Sequence, residues 1–300
     1  MPRIASVLRL GGQRVGLQRL AGAKHGAKSS LARTLLSLTV FYCCSTALIW
    51  ALDPGRRISQ YAHTAWRVQD GSINIGSSIT QTTDGYLWLG TPEGLLRFDG
   101  IEFVPFSIPG FDLLKLTYTY LLGARDGSLW VGTRIGLGRL KDGEFRWYSN
   151  PAQRSGISAI LEDHEGTIWV TRYRVPSDEG PFCRVEGSGL HCYGKPDGIP
   201  VRYGLGLTED SLGNLWFGSS VVCRWRQGSV STYLNAITNR HDSGFGVVDV
   251  VAGRSESIWA AVDGVGPDLG VRYYSNGKWA PYVAPGFDGR KVRSHALFVD

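Results

Sequence analysis

Five tryptophans recur at near-even intervals: Trp88, Trp130, Trp169, Trp216 and Trp259, spaced 42, 39, 47 and 43 residues apart. An indole can stack on a sugar ring or fill a core. One per repeat at a fixed place assigns these five to the structural core of the repeat. Cys183 and Cys192 flank the stretch RVEGSGLH, whose central Gly187-Ser188 suits a two-residue hairpin turn. Pairing about that turn sets the two cysteines directly opposite each other. They form a cross-strand disulfide in an oxidising compartment if the pair geometry is favourable, and otherwise stand as two half-buried thiols. Too few Cys or His lie nearby for zinc. The five histidines beyond residue 52, His63, His164, His191, His241 and His295, are scattered. No Ser/His/Asp or metal spacing appears, so no catalytic residue, metal or cofactor is assigned.

The tryptophans belong to repeated segments. These are DGYLWLGT (84–91), DGSLWVGT (126–133), EGTIWVT (165–171), GNLWFGS (213–219) and a degraded ESIWAA (256–261). Each follows an apolar run with β character, such as ISAILED (157–163) or FGVVDVVA (245–252). A short strand comes next, then Asp99-Gly100, Asp142-Gly143 or Asn276-Gly277, then an outer strand. Asp-Gly and Asn-Gly favour type I′ hairpins, because both central residues need positive φ. A period of ~40–50 residues with four antiparallel strands is the signature of a propeller blade. Forty glycines in 300 residues serve the many turns. The expected fold is all-β: a β-propeller of about five complete four-stranded blades over 74–283 and a partial sixth opening at VRSHALFVD (292–300). The expectation is part of a seven-bladed ring, a fragment that ends inside a blade. QYAHTAWRVQDG (60–71) reads as an outer strand without an evident partner.

Blade geometry places certain loops on one face. The loop before each inner strand and the loop after each Trp strand share an end of the blade. The first kind carries Asn74, Arg154, Arg202, Tyr203 and Arg293; the second carries Glu93, Arg134, Arg172, Tyr173 and Arg174. Guanidinium groups bind carboxylates and polyols, and tyrosine rings stack on sugars, so this rim suits a small acidic or carbohydrate ligand. The alternative is a set of ordinary solvated loop side chains. A propeller hydrolase or lyase would need acid and base groups converging here, and the rim offers one carboxylate, Glu93.

The net charge of +6 comes from the first 52 residues, which hold seven Lys/Arg and no Asp/Glu. The remainder is nearly neutral, which removes the basic field of a nucleic-acid binder. Leu35 to Leu52 is an uncharged run behind those basic residues. It reads as a signal peptide or as a hydrophobic helix kept as a membrane anchor, with a buried core helix as a third reading. The first two place residues 53–300, the propeller domain, outside the cytoplasm, in the periplasm.

The stretch 58–106, with DGYLWLGTPEGLLRFDG at its centre, resembles the first repeat of the two-component regulator propeller family. The resemblance extends more loosely over nearly all of 58–300. It departs at Asp70–Ile73, where DGSI replaces the family's usual DGLP, and in the fifth repeat, which lacks Gly-Thr after its Trp. The resemblance implies the periplasmic sensor region of a sensor histidine kinase, hybrid kinase or diguanylate cyclase. It also implies signalling by ligand binding, with homodimer packing as a carrier of the signal. No kinase or cyclase motif is present, so the chain is expected to be non-enzymatic and to supply input only. Two other functions stay open: a protein-interaction platform, and a secreted propeller hydrolase or lyase.

Overall fold

The structure is a computed structural model, and it describes residues 78–91, 94–107, 120–148, 155–173, 175, 179–234 and 246–298. The expected leader (1–52), the outer strand at 60–71, and the candidate residues Asn74, Glu93, Arg154 and Arg174 lie outside them. Among the described residues, no helix is long and apolar enough to cross a membrane.

Five four-stranded antiparallel sheets follow one another, each with its strands in chain order. Blade 1 is β1 (Ser78–Gln81), β2 (Leu87–Thr91), β3 (Gly94–Phe98) and β4 (Phe103–Phe106). Blade 2 is β5 (Tyr120–Gly123), β6 (Leu129–Thr133), β7 (Gly136–Lys141) and β8 (Glu144–Trp147). Blade 3 is β9 (Gly156–Glu162), β10 (Ile168–Tyr173), β11 (Phe182–Glu186) and β12 (Gly189–Tyr193). Blade 4 is β13 (Leu205–Glu209), β14 (Leu215–Gly218), β15 (Val222–Arg226) and β16 (Ser229–Tyr233). Blade 5 is β17 (Val247–Ala252), β18 (Ile258–Val262), β19 (Gly270–Ser275) and β20 (Lys278–Pro281). A two-stranded ribbon, β21 (Val283–Ala284) with β22 (Phe287–Asp288), follows. This is the blade pattern the repeat implies.

The turns show where local chemistry decided. Asp142 and Gly143 both have positive φ (51° and 80°), as do Asn276 and Gly277 (51° and 79°), and each pair closes a two-residue hairpin. Asp99-Gly100 does not. Phe98 pairs with Phe103, so four residues form the loop. The Asp99 carboxylate instead accepts from the backbone N–H of Ile101 and Glu102, an Asx device that stabilises the wider loop.

The core is divided between blades. Trp88 packs with Leu129 and Val131 of the next blade, and Trp130 with Ile157, Ile168 and Val170. Trp169 packs with Leu215 and Phe217, and Trp216 with Val247, Val250 and Ile258. So each tryptophan is buried by the blade that follows its own. The first four are at most 5% exposed. Trp259 is half-buried. It lines a cavity of about 420 Å³ with Val251, Leu297 and Phe298. No strand is assigned to 292–298, but the segment occupies the place of a further inner strand, as its hydrogen bonding shows.

An inner strand is the free edge of its sheet, so half its N–H groups need partners elsewhere. Side chains of the preceding blade supply them. Ser78 and Thr80 accept from Leu121 N (3.0 Å) and Gly123 N (2.9 Å), and Thr208 accepts from Ala252 N (3.0 Å). Asp249 accepts from Leu297 N (2.8 Å), continuing the series past blade 5.

Candidate functional site

In every blade the start of the inner strand sits opposite the end of the Trp strand, as in Gly156↔Tyr173 and Leu205↔Gly218. The same ends of adjacent blades touch: Gly204 N donates to the Arg172 carbonyl (2.9 Å), and Val247 N to that of Ser219 (2.7 Å). The expected rim residues that are described therefore lie at one end of the blades. Arg134, in the β6–β7 turn, is exposed. Tyr173 and Tyr203 are half-buried; Arg202 is exposed and makes no side-chain hydrogen bond among the described residues. Arg293 is exposed but engaged by Asp263, with Nε to Oδ1 at 2.7 Å and Nη2 to Oδ2 at 3.3 Å.

Arg172 departs from the expected rim. Its side chain is only 3% exposed and turns inward. Nε donates to Ser155 Oγ (2.7 Å), Nη2 to Glu179 Oε2 (2.6 Å), and Nη1 to Cys192 Sγ (3.1 Å) and Cys183 Sγ (3.6 Å). The reason is that β10 continues through Tyr173, so Arg172 keeps the alternation of the Trp strand and shares a face with Val170, two residues before it. Val170 stands opposite Cys183, and Cys183 opposite Cys192, so that face carries the sulfurs. Cys183 and Cys192 are joined in a disulfide and stand directly opposite in the register.

The opposite end of the blades carries a second polar belt. Glu162 accepts from Arg125 N of the preceding blade (2.8 Å) and pairs with its guanidinium (3.1 Å). Glu209 accepts from His164 N (2.8 Å), and its other oxygen meets His164 Nδ1. Hydrogen bonding to Glu209, then that carboxylate's charge, raises the His164 pKa above the ordinary imidazole value. In blade 2, partial burial works against the Asp126 carboxylate. Hydrogen bonds from Ser128 and Lys141 and the charge of Arg139 outweigh it, holding Asp126 well below the usual carboxylate range. These groups tie turns to strands and blade to blade.

Two recurrent features escaped the sequence reading. Asp163 and Asp210 each accept an indole N–H, from Trp169 and Trp216, both at 2.7 Å. The signal was visible: an Asp six residues before the Trp in both repeats. The third strand also sets an arginine opposite the tryptophan in four blades, as Arg97, Arg139, Arg184 and Arg224. Arg139 lies 5.4 Å from the Trp130 ring centroid and Arg224 5.6 Å from that of Trp216, within range of a cation–π contact. In blade 5 the register differs by one, so Tyr273 faces Trp259.

Among the described residues, no group of three or more His, Cys, Asp or Glu could hold a metal ion. No family model matches the chain, and no curated protein sequence matches it. Solved structures do. Virginiamycin B lyase from Staphylococcus aureus is 19% identical over 69% of this chain and 69% of that one, with a TM-score of 0.52. A streptogramin B lyase is 21% identical over 71% and 72%, with a TM-score of 0.53. An extracellular domain ascribed to a hybrid two-component system of B. thetaiotaomicron is 17% identical over 68% of this chain and 28% of that one, with a TM-score of 0.52. At these identities the likeness shows the fold: the chain is a β-propeller. The chain spans little more than a quarter of the length of the third of these structures.

Proposed function

We propose that the chain is the extracytoplasmic, ligand-sensing propeller of a two-component signal-transduction protein, acting as a homodimer and supplying input to an output domain. What supports the reading most is the rim. Arg134 and Arg202 stand exposed at the same end of the blades as the half-buried Tyr173 and Tyr203. Such a surface recognises a carboxylated sugar: the guanidinium takes the carboxylate, and the ring takes the apolar face of the pyranose. Signalling follows if ligand favours one packing of two propellers over another, since a ligand shifts an equilibrium only by its differential affinity. The export leader places the domain in the periplasm, cleaved or anchored. The fold is shared with lyases as well as with a sensor domain, so fold alone does not choose. The choice rests on the arginine and tyrosine rim and on the resemblance of 58–106.

The test is thermal unfolding with an oligogalacturonate and with its neutral methyl ester. Acidic ligand at about 100 times its Kd stabilises by about 2.7 kcal/mol. We expect a raised Tm with the acid, a smaller effect with the ester, and loss of both in Arg202→Ala. Equal Tm values with and without every charged saccharide tried would sink the carbohydrate reading. Depolymerisation of the probe would favour a lyase or hydrolase.

A further inference from the structure

A guanidinium is always charged, and when buried it needs strong acceptors. Arg172 has two: Ser155 for Nε and Glu179 for Nη2. Its third donor, Nη1, points at Cys192 Sγ (3.1 Å) and Cys183 Sγ (3.6 Å). Bonded sulfur is a weak acceptor, and a thiolate is a full anion. The same geometry that serves the disulfide poorly would serve its reduced form well. The chain's other described cysteine shows the contrast. Cys223 is buried without a cation beside it, and burial pushes its thiol up to about 12.

We propose that Cys183–Cys192 is a reversible redox site that exchanges with a dithiol reductant, with Arg172 as the positioning residue that holds the released Cys192 thiolate. Cys192 is half-buried on β12, the outermost strand of its blade, whereas Cys183 is fully buried. The incoming thiolate therefore attacks Cys192 Sγ. The S–S bond breaks, its electron pair leaves on Cys183 Sγ, and Cys183 takes a proton from the dithiol. The reductant's second thiol, deprotonated, then attacks its own sulfur in the mixed disulfide. This oxidises the reductant to a cyclic disulfide and releases Cys192 as a thiolate beside Arg172. Two electrons pass to the protein, and one of the dithiol's two protons goes to solvent. Reoxidation by a disulfide oxidant reverses these steps.

The experiment uses the full chain and two readouts. Native protein is equilibrated with reduced and oxidised dithiothreitol, and free thiols are assigned by alkylation and peptide mass spectrometry. Cys192 should become reactive while tryptophan fluorescence stays native, with the fully buried Cys183 and Cys223 silent. A bond that yields only after unfolding overturns the proposal. The second readout is the pH dependence of iodoacetamide alkylation of Cys192 in Cys183→Ser. The midpoint should lie below about 7.5, the upper bound for cysteines beside a cation, against ~8.5 for an unperturbed thiol. Arg172→Gln in that background should slow alkylation at pH 6.5 at least tenfold, and Arg172→Lys should restore part of it. Glu179→Gln, which removes the competing anion, should move the midpoint further down. A purely structural Arg172 predicts no such opposite pair. A midpoint in Cys183→Ser at or above about 7.5, or one that Glu179→Gln leaves unmoved or raises, rejects the proposal even where Arg172→Gln fails to fold.

Discussion

Asp163 performs several tasks with one carboxylate. Oδ2 accepts the Trp169 indole N–H, and Oδ1 accepts from the backbone N–H of Glu165 and Thr167. The residue is buried, 7% exposed. Asp163→Ala leaves the indole N–H without a partner and uncaps the turn. We expect a loss of about 2–3 kcal/mol, read as a lower urea midpoint at unchanged m-value, with Asp163→Asn costing less because the Oδ1 acceptor survives. His164, next in sequence, gives a pH signature. Its folded pKa is raised by Glu209. Its contribution to stability is therefore fully present below the ordinary value of ~6.5 and is lost as pH rises through the folded value. The Tm gap between wild type and His164→Gln should be widest near pH 6 and close towards pH 9. A gap that widens with pH would contradict the His164–Glu209 pairing.

At the scale of elements, strands of neighbouring blades approach closely where glycine removes a side chain. A Cβ on Gly123 of β5 would come 2.1 Å from the Gln81 carbonyl oxygen of β1. Backbone cannot yield as a flexible side chain can. Gly123→Ala must push the two inner strands apart, with an expected cost of about 1–3 kcal/mol in denaturant unfolding. Gly143→Ala supplies the contrast, since a Cβ there meets nothing within 4 Å and only the positive φ of 80° opposes it. Its cost should be the smaller of the two. Hairpin turns were legible from sequence where the dipeptide alone sets the backbone, as at Asp142-Gly143 and Asn276-Gly277. Asp99-Gly100 was not, because its Asx hydrogen bonds compete with the two-residue turn.

For the whole molecule, each tryptophan depends on a sheet that is not its own. Trp169 is enclosed by Phe182 and by Phe217 and Leu215 of the next blade. Trp259 lines an open cavity under Leu297 and Phe298. Trp169→Ala should cost about 3–5 kcal/mol, and Trp259→Ala clearly less, by urea unfolding of both variants. Equal costs would mean that the blades do not stack as nearest neighbours. The sequence by itself determined the repeat, the blade, the core role of the tryptophans and the cross-strand opposition of Cys183 and Cys192. All of these follow from short-range periodicity and turn chemistry, which a linear reading contains. It also placed Arg134, Tyr173, Arg202 and Tyr203 at one end of the blades, since strand direction follows from connectivity. Only the tertiary structure decided which way a side chain turns once the strands around it are in place. The extension of β10 through Tyr173 carries Arg172 from the rim to the face of the disulfide. The absence of a covering sheet among the described residues leaves Trp259 only half-buried. Arg172 depends on where its strand ends and on partners brought round by two turns of its own blade, and Trp259 on a segment beyond its blade; spacing along the sequence encodes neither.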